Sequence, residues 1–147
     1  MDIRQITPQF FAAPQISVED LPEIAAAGIT RILCNRPDSE VPPSHQSEAI
    51  GTAARAAGLE FHVQPLTHQT MTSDVIARNR ALATGSAGPV LAYCASGTRS
   101  TIAWALGEAG HRPTDEIIAA ARAGGYDLAN LRPALEDAAT RINSNGS

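Results

Sequence analysis

The sequence predicts an α/β fold built on a mainly parallel sheet of about four or five strands flanked by helices. Three observations carry that expectation. Strand-type and helix-type segments alternate along the chain. The run PVLAY (89–93) is apolar without alternation, the pattern of a parallel strand buried on both faces. Helix-type segments stop at glycines, the residue that most readily takes the C′ position.

In chain order, FFAAP (10–14) is a short apolar run and reads as an edge strand. Ser17 opens a helix, with Asp20 placed for a capping box, and Gly28 closes it. TRILCN (30–35) reads as a buried strand, and the Pro, Asp and Ser content of 35–44 makes a loop. A helix follows from about Ser44 to Ala57, stopping at Gly58. LEFHVQPL (59–66) alternates, with Leu59, Phe61 and Val63 on one face, and predicts a half-exposed strand. After the polar loop THQTMT, Ser73 to Thr84 reads as a helix ended by GSAGP, and PVLAYC is the next strand. Helices are then expected at about 99–109, 114–123 and 131–142, with Gly124-Gly125 as a stop and Pro133 near a first turn. The 147 residues are expected to form one domain, 1–147, frayed from about residue 143.

Composition narrows the function. The chain is 44% hydrophobic but only 4% aromatic, so Ala, Ile, Leu and Val must build the core. The net charge is -4, and no Lys/Arg-rich block breaks the mixture of charges. Nucleic acid and anionic membranes are therefore not expected partners, whereas a small anion in one local positive pocket is compatible. No apolar run approaches the roughly 20 residues of a membrane helix. The first residues, MDIRQITPQF, show no charged-then-apolar leader, and the expected location is cytoplasmic. Cys34 and Cys94 read as free thiols. His45, His62 and His111 lack metal-ligand spacing, and neither a metal nor a cofactor is expected. Ala-rich helices are compatible with a homodimer, although no single stripe stands out.

The chemistry concentrates in YCASGTRST, Tyr93 to Thr101. In parallel α/β sheets, ligands bind beyond the carboxyl ends of the strands, and Cys94 sits at such an end. Ala95, Ser96, Gly97 and Thr98 form a small-residue loop that can turn several amides toward one point at a helix start. Arg99 adds a cationic fork suited to a tetrahedral oxyanion. The same surroundings favour a thiolate at Cys94, since cationic neighbours bring a thiol from about 8.5 into the range of about 3.5–7.5. Ser100 is placed to hydrogen-bond the thiolate or to help its release. A nucleotide loop is the weaker reading, because neither a Lys–Ser/Thr pair nor a second glycine at dinucleotide spacing is present. Trp104 and Tyr126 read as packing residues.

CASGTRS resembles the signature of the phosphatase-like domain of β-lactamase hydrolase-like proteins, a family also associated with sulfurtransferase activity. APQIS (13–17), CNRPDSE (34–40), AARAAGLEFHVQPL (53–66), GPVLAYCASGTRS (88–100) and AGGYDLANL (123–131) carry the resemblance over nearly the whole chain. It implies a fold like that of protein tyrosine and dual-specificity phosphatases, with Cys94 as nucleophile and Arg99 as oxyanion ligand. Two departures matter. Those phosphatases place one residue more between Cys and Arg than the four found here, a spacing closer to rhodanese-type sulfurtransferases. They also have His where this chain has Tyr93.

A thiolate that attacks phosphorus also wants a general acid for the leaving alcohol. The resemblance implies an Asp on the loop after the preceding strand, and the corresponding segment here offers His68 first and Asp74 only later. Asp74 also suits the first turn of a helix. In the NRPDSE loop, Asn35 and Arg36 are candidates to brace the Cys94 loop. Asp38 and Glu40 are candidates to pair with Arg36 or Arg99, and Asp38 is a secondary candidate acid. A resolving role for Cys34 requires that it reach Cys94. Three readings remain open: a cysteine-dependent phosphatase-like hydrolase, a sulfurtransferase that carries a persulfide on Cys94 and passes it to glutathione or another thiol, and a non-catalytic oxyanion-binding module. The corresponding partners are a small phosphate ester, a phosphoprotein or a sulfane-sulfur donor.

Overall fold

A computed structural model describes residues 1–145. Five strands form one sheet in the order β1-β2-β5-β3-β4, where β1 is Arg4–Gln5, β2 Phe10–Ala13, β3 Arg31–Cys34, β4 Glu60–Val63 and β5 Val90–Tyr93. All neighbours are parallel except the β1–β2 pair. The expected α/β architecture is therefore present, with one correction. The 10–13 segment is an interior strand, because the two-residue β1 pairs along its outer side from Arg4↔Ala12 to Gln5↔Phe11. So short and polar a strand is set by that pairing and leaves no hydrophobic period to read.

Among the described residues, six α-helices cover the sheet: α1 (Leu21–Ala26), α2 (Ser47–Ala56), α3 (Ser73–Thr84), α4 (Thr98–Glu108), α5 (Thr114–Ala123) and α6 (Arg132–Asn145). A 3-10 turn, Val18–Asp20, leads into α1, with Asp20 Oδ2 accepting from the Ser17 backbone N–H at 2.9 Å. The helix expected from Ser44 begins at Ser47. Pro42 and Pro43 lack a backbone N–H, and Pro43–His45 makes a 3-10 turn instead. α6 is described through Asn145, and the last two residues of the expected frayed tail lie outside the described residues. Among the described residues, no helix is long and apolar enough to cross a membrane.

Strand alternation divides the core between the two sheet faces. Phe10, Ala12, Leu33, Val90 and Ala92 pack with Trp104, Ile117, Ile118 and Leu135 under α4, α5 and α6. Trp104 stacks on Phe10 at 5.7 Å between ring centroids, in keeping with its expected packing role. Ala13, Ile32, Cys34, Leu91 and Tyr93 pack with Leu21, Ile24, Ile50 and Ala54 of α1 and α2 on the other face.

The parallel register places the site. Ala13 and Cys34 both stand level with Tyr93, and Val63 stands level with Cys34. Four chain segments therefore leave the sheet together at its carboxyl edge. Backbone bonds hold them there: Cys94 N–H donates to Ala13 O at 3.4 Å, Asn35 N–H to Tyr93 O at 2.9 Å, and Leu66 N–H to Asn35 O at 2.8 Å.

Candidate active site

Cys94 is the first residue beyond β5, and its side chain is fully buried. Ala95, Ser96 and Thr98 are exposed around it, and Gly97 caps the start of α4 with φ +92°. A glycine is required here on two grounds. That φ lies in the left-handed region, and a Cβ would collide with the Tyr126 hydroxyl.

The loop carbonyls determine where its amides point. Ala95 O accepts from Gln15 N–H at 3.2 Å, and Ser96 O accepts from the Tyr126 hydroxyl at 3.1 Å. Gly97 O accepts from Thr101 N–H at 3.0 Å and from the Thr101 hydroxyl at 2.8 Å. In a trans peptide, C=O and the following N–H point in opposite directions. With the Ala95 and Ser96 carbonyls held by surrounding structure, the N–H groups of Ser96 and Gly97 are turned toward the loop interior, whereas Thr98 N–H donates to the Ser96 hydroxyl at 3.3 Å. Gly97 N–H reaches Cys94 Sγ at 3.1 Å. Ser100 lies in the first turn of α4 with its Oγ buried and without a hydrogen-bond partner among the described residues.

Arg99 is held in place by three contacts. Nη2 donates to Glu40 Oε1 at 2.7 Å, Nη1 to Glu40 Oε2 at 2.9 Å, and Nη1 also to Leu66 O at 2.9 Å. Glu40 in turn accepts from Arg36 Nε at 3.2 Å, and Arg36 Nη1 donates to Gln15 Oε1 at 3.2 Å. The chain Gln15–Arg36–Glu40–Arg99 thus links the segments after β2, β3 and β5. It carries two positive charges against one negative, so a net positive charge remains beside the loop. Hydrogen bonding from Arg99 holds the Glu40 carboxyl below the usual carboxylate range, with Arg36 adding to the effect against partial burial.

The other candidates are placed as follows. Asn35 braces the segment after β4 with its side chain: Nδ2 donates to Gln64 O at 2.8 Å and to Asn79 Oδ1 of α3 at 2.9 Å. Its link to the Cys94 loop is the backbone bond to Tyr93. Asp38 accepts from Ser47 N–H at 2.7 Å and from the Ser47 hydroxyl at 3.0 Å, so its carboxylate serves the start of α2, not Arg36 or Arg99. Asp74 lies exposed in the first turn of α3, and His68 is exposed on the preceding loop. Neither makes a side-chain hydrogen bond or ion pair among the described residues. Cys34 and Cys94 are both free and buried. Cys34 packs with Tyr93 on the α1–α2 face and donates to Arg36 O at 3.5 Å. Strand alternation turns Cys94 away from that face. Burial pushes the Cys34 thiol and the Tyr93 phenol upward.

Four participants escaped the sequence reading: Gln15, the Leu66 carbonyl, Asn79, and the hydroxyl of Tyr126. Only Tyr126 left a signal, as a lone aromatic directly after the Gly124-Gly125 stop.

Residues 2–111 match the family described as beta-lactamase hydrolase-like protein, phosphatase-like domain. A beta-lactamase hydrolase-like protein of Xylella fastidiosa (strain Temecula1 / ATCC 700964) is 35% identical over 131 residues, 87% of this chain. The chain spans only 30% of that relative's length. The crystal structure of a candidate phosphatase from Neisseria meningitidis Z2491 is 36% identical and covers 94% of this chain and 99% of its own, with a TM-score of 0.83. PTPMT1 in complex with PI(5)P covers 100% of both chains with a TM-score of 0.76 at 12% identity, a likeness of fold alone. With its protein-tyrosine-phosphatase-like fold, the chain belongs to the phosphatase-like domain family of the beta-lactamase hydrolase-like proteins.

Proposed function

We propose that the protein is a cysteine-dependent phosphatase-like hydrolase acting through the Cys94–Arg99 loop. The observation that carries this reading is the inward turn of the Ser96 and Gly97 amides, with Gly97 N–H on Cys94 Sγ and an anchored guanidinium beside them. Such a cradle suits both a thiolate and the oxygens of a phosphoryl group.

In this reading, the Cys94 thiolate attacks phosphorus and the P–O bond to the leaving group breaks. The leaving oxygen keeps the electron pair and takes a proton from solvent. Arg99 and the loop amides balance charge on the equatorial oxygens. Water then attacks the thiophosphate, releases inorganic phosphate and regenerates the thiolate. Ser100 Oγ, buried without a hydrogen-bond partner among the described residues, is available to hydrogen-bond the departing sulfur. Asp38 is engaged by Ser47 and Glu40 by Arg99, which leaves His68 and Asp74 as the acid candidates without a competing partner. Neither is bonded to the Cys94 loop among the described residues, so the leaving group takes its proton from solvent, and small activated phosphate esters are preferred over alkyl esters or phosphoproteins.

Sulfur transfer is the second reading, and the four-residue spacing favours it. There Cys94 attacks a sulfane sulfur, the donor's S–S bond breaks, and a thiol acceptor later removes the terminal sulfur. No proton donor to an alkoxide is needed. One experiment separates the two, with Cys94→Ser as control in both arms. The first arm follows phosphate release from an activated aryl phosphate. The second follows transfer from thiosulfate or glutathione persulfide to cyanide or thiol, with mass spectrometry of the protein. Cys94-dependent phosphate release without a sulfur adduct supports the hydrolase. An adduct of about 32 Da, one sulfur atom, with negligible phosphate release supports sulfur transfer.

A further inference from the structure

The Tyr126 hydroxyl and the Cys94 thiol lie at opposite ends of a single peptide unit. Tyr126 donates to Ser96 O at 3.1 Å, and the N–H of the same peptide, that of Gly97, donates to Cys94 Sγ at 3.1 Å. Because the unit is planar and trans, fixing its carbonyl fixes the aim of its amide. The other two loop carbonyls are held by Gln15 and Thr101, near neighbours of the loop in the sheet edge and in α4. The Ser96 carbonyl alone takes its orientation from a side chain between α5 and α6, outside the residues 2–111 that the family model matches.

The tyrosine is itself braced. The Arg4 guanidinium lies 5.6 Å from the ring centroid, and its Nη1 donates to Gly124 O at 3.2 Å. Gly125 leaves the room for it, since a Cβ there would collide with Arg4 Nη1. Tyr126 is 8% exposed. Burial pushes its phenol above the ordinary value, Arg4 opposes that shift, and a charge at Cys94 adds to it. The phenol is therefore a protonated donor at neutral pH.

We propose that Tyr126 is a positioning residue for the anion loop. It holds the Ser96–Gly97 peptide so that the Gly97 amide faces the sulfur and any oxyanion bound over it. The proposal rests on the reading of this loop as an anion site but not on which reaction the loop performs.

Tyr126→Phe keeps the ring, and with it the Arg4 contact, and removes only the donor. Inorganic phosphate is the probe. Its Kd is expected to rise about 2- to 10-fold, the worth of one neutral hydrogen bond. The Gly97 amide resonance is expected to move in the free protein and to respond less to phosphate. An unchanged Kd together with an unchanged Gly97 resonance in a folded variant overturns the proposal and returns Tyr126 to packing. Should the variant not fold, the wild type still decides. The Tyr126 ring carbon that bears the hydroxyl should shift along the phosphate titration in step with the Gly97 amide, and a static carbon overturns the proposal. Wild-type protein that binds no phosphate removes the anion-site reading and this inference with it. Equal binding by both proteins, with the Gly97 resonance unchanged, removes only the role of Tyr126.

Discussion

Replacing Glu40 by Gln tests the network that holds Arg99. The substitution keeps the shape and one acceptor oxygen but removes the charge that faces both Arg99 and Arg36. In the native protein, two short N–H···O bonds join Arg99 to the carboxylate, and the side chains are 14% and 32% exposed. An exposed pair is worth about 0.2–1 kcal/mol, whereas breaking a fully buried one costs about 3–5 kcal/mol. The half-buried, bidentate geometry places the loss between these limits, at about 1–2 kcal/mol. For a chain of this size, that lowers Tm by about 3–6 °C. The pH dependence follows from the depressed carboxyl of Glu40. A carboxylate more acidic in the folded state than in the unfolded chain contributes fully above the unfolded value of about 4.3, and that contribution is lost as pH falls through the folded value. Urea unfolding of both proteins at pH 7 and at about pH 3 measures the difference directly. A gap at pH 7 that shrinks in acid is expected. Curves that coincide at pH 7, or a gap that survives unchanged at the acid end, refute the role assigned to Glu40.

Asp38→Asn should cost about 0.5–2 kcal/mol through loss of the charged acceptor at the start of α2, as read by thermal unfolding. It should leave turnover of alkyl and aryl phosphates in the same ratio, and a selective loss on alkyl esters would restore Asp38 as the acid. Asn79→Ala should cost about 1–3 kcal/mol, because it strips the buried Asn35 amide of a partner, and hydrogen exchange at Leu66 should speed up with it. Gly97→Ala should weaken phosphate binding by at least about tenfold, since the new methyl meets both an unfavourable φ and the Tyr126 hydroxyl. Calorimetric titration reads that loss. Phe10→Ala should cost about 3–5 kcal/mol by opening a cavity against Trp104, and chemical denaturation checks it.

The sheet was legible wherever a strand carried a continuous or alternating apolar run, as in 31–34, 60–63 and 90–93. It was not legible in Arg4–Gln5, whose strand character comes from its partner. The interior position of Phe10–Ala13 was hidden for the same reason, since one missing two-residue strand turns an interior strand into an edge. Within the site, Glu40 and Arg99 stand out by charge and by their motifs. The groups that orient them do not. Leu66 contributes a carbonyl, which every residue type possesses, and Gln15 and Asn79 are ordinary polar residues until the fold brings them to Arg36 and Asn35. Tyr126 has the chemistry of a core aromatic in sequence, and only the fold sets its hydroxyl against a carbonyl of the loop.

The common level at which the strands leave the sheet has a consequence for how the chain acquires its structure. Phe10 pairs with Val90, and Arg31 pairs with the same Val90, so the central strand finds both neighbours only by closing long loops. Such closures carry an entropic cost that slows folding relative to chains with local contacts. The Cys94 loop is assembled from those same closures: Gln15 holds one of its carbonyls, Leu66 holds its arginine, and Tyr126 holds its central peptide. No fragment short of the docked sheet contains all of these parts. In a refolding experiment, the oxyanion binding proposed for this loop should therefore return with the slowest kinetic phase, after helical signal has recovered, which would make it an internal reporter of the last long-range pairing.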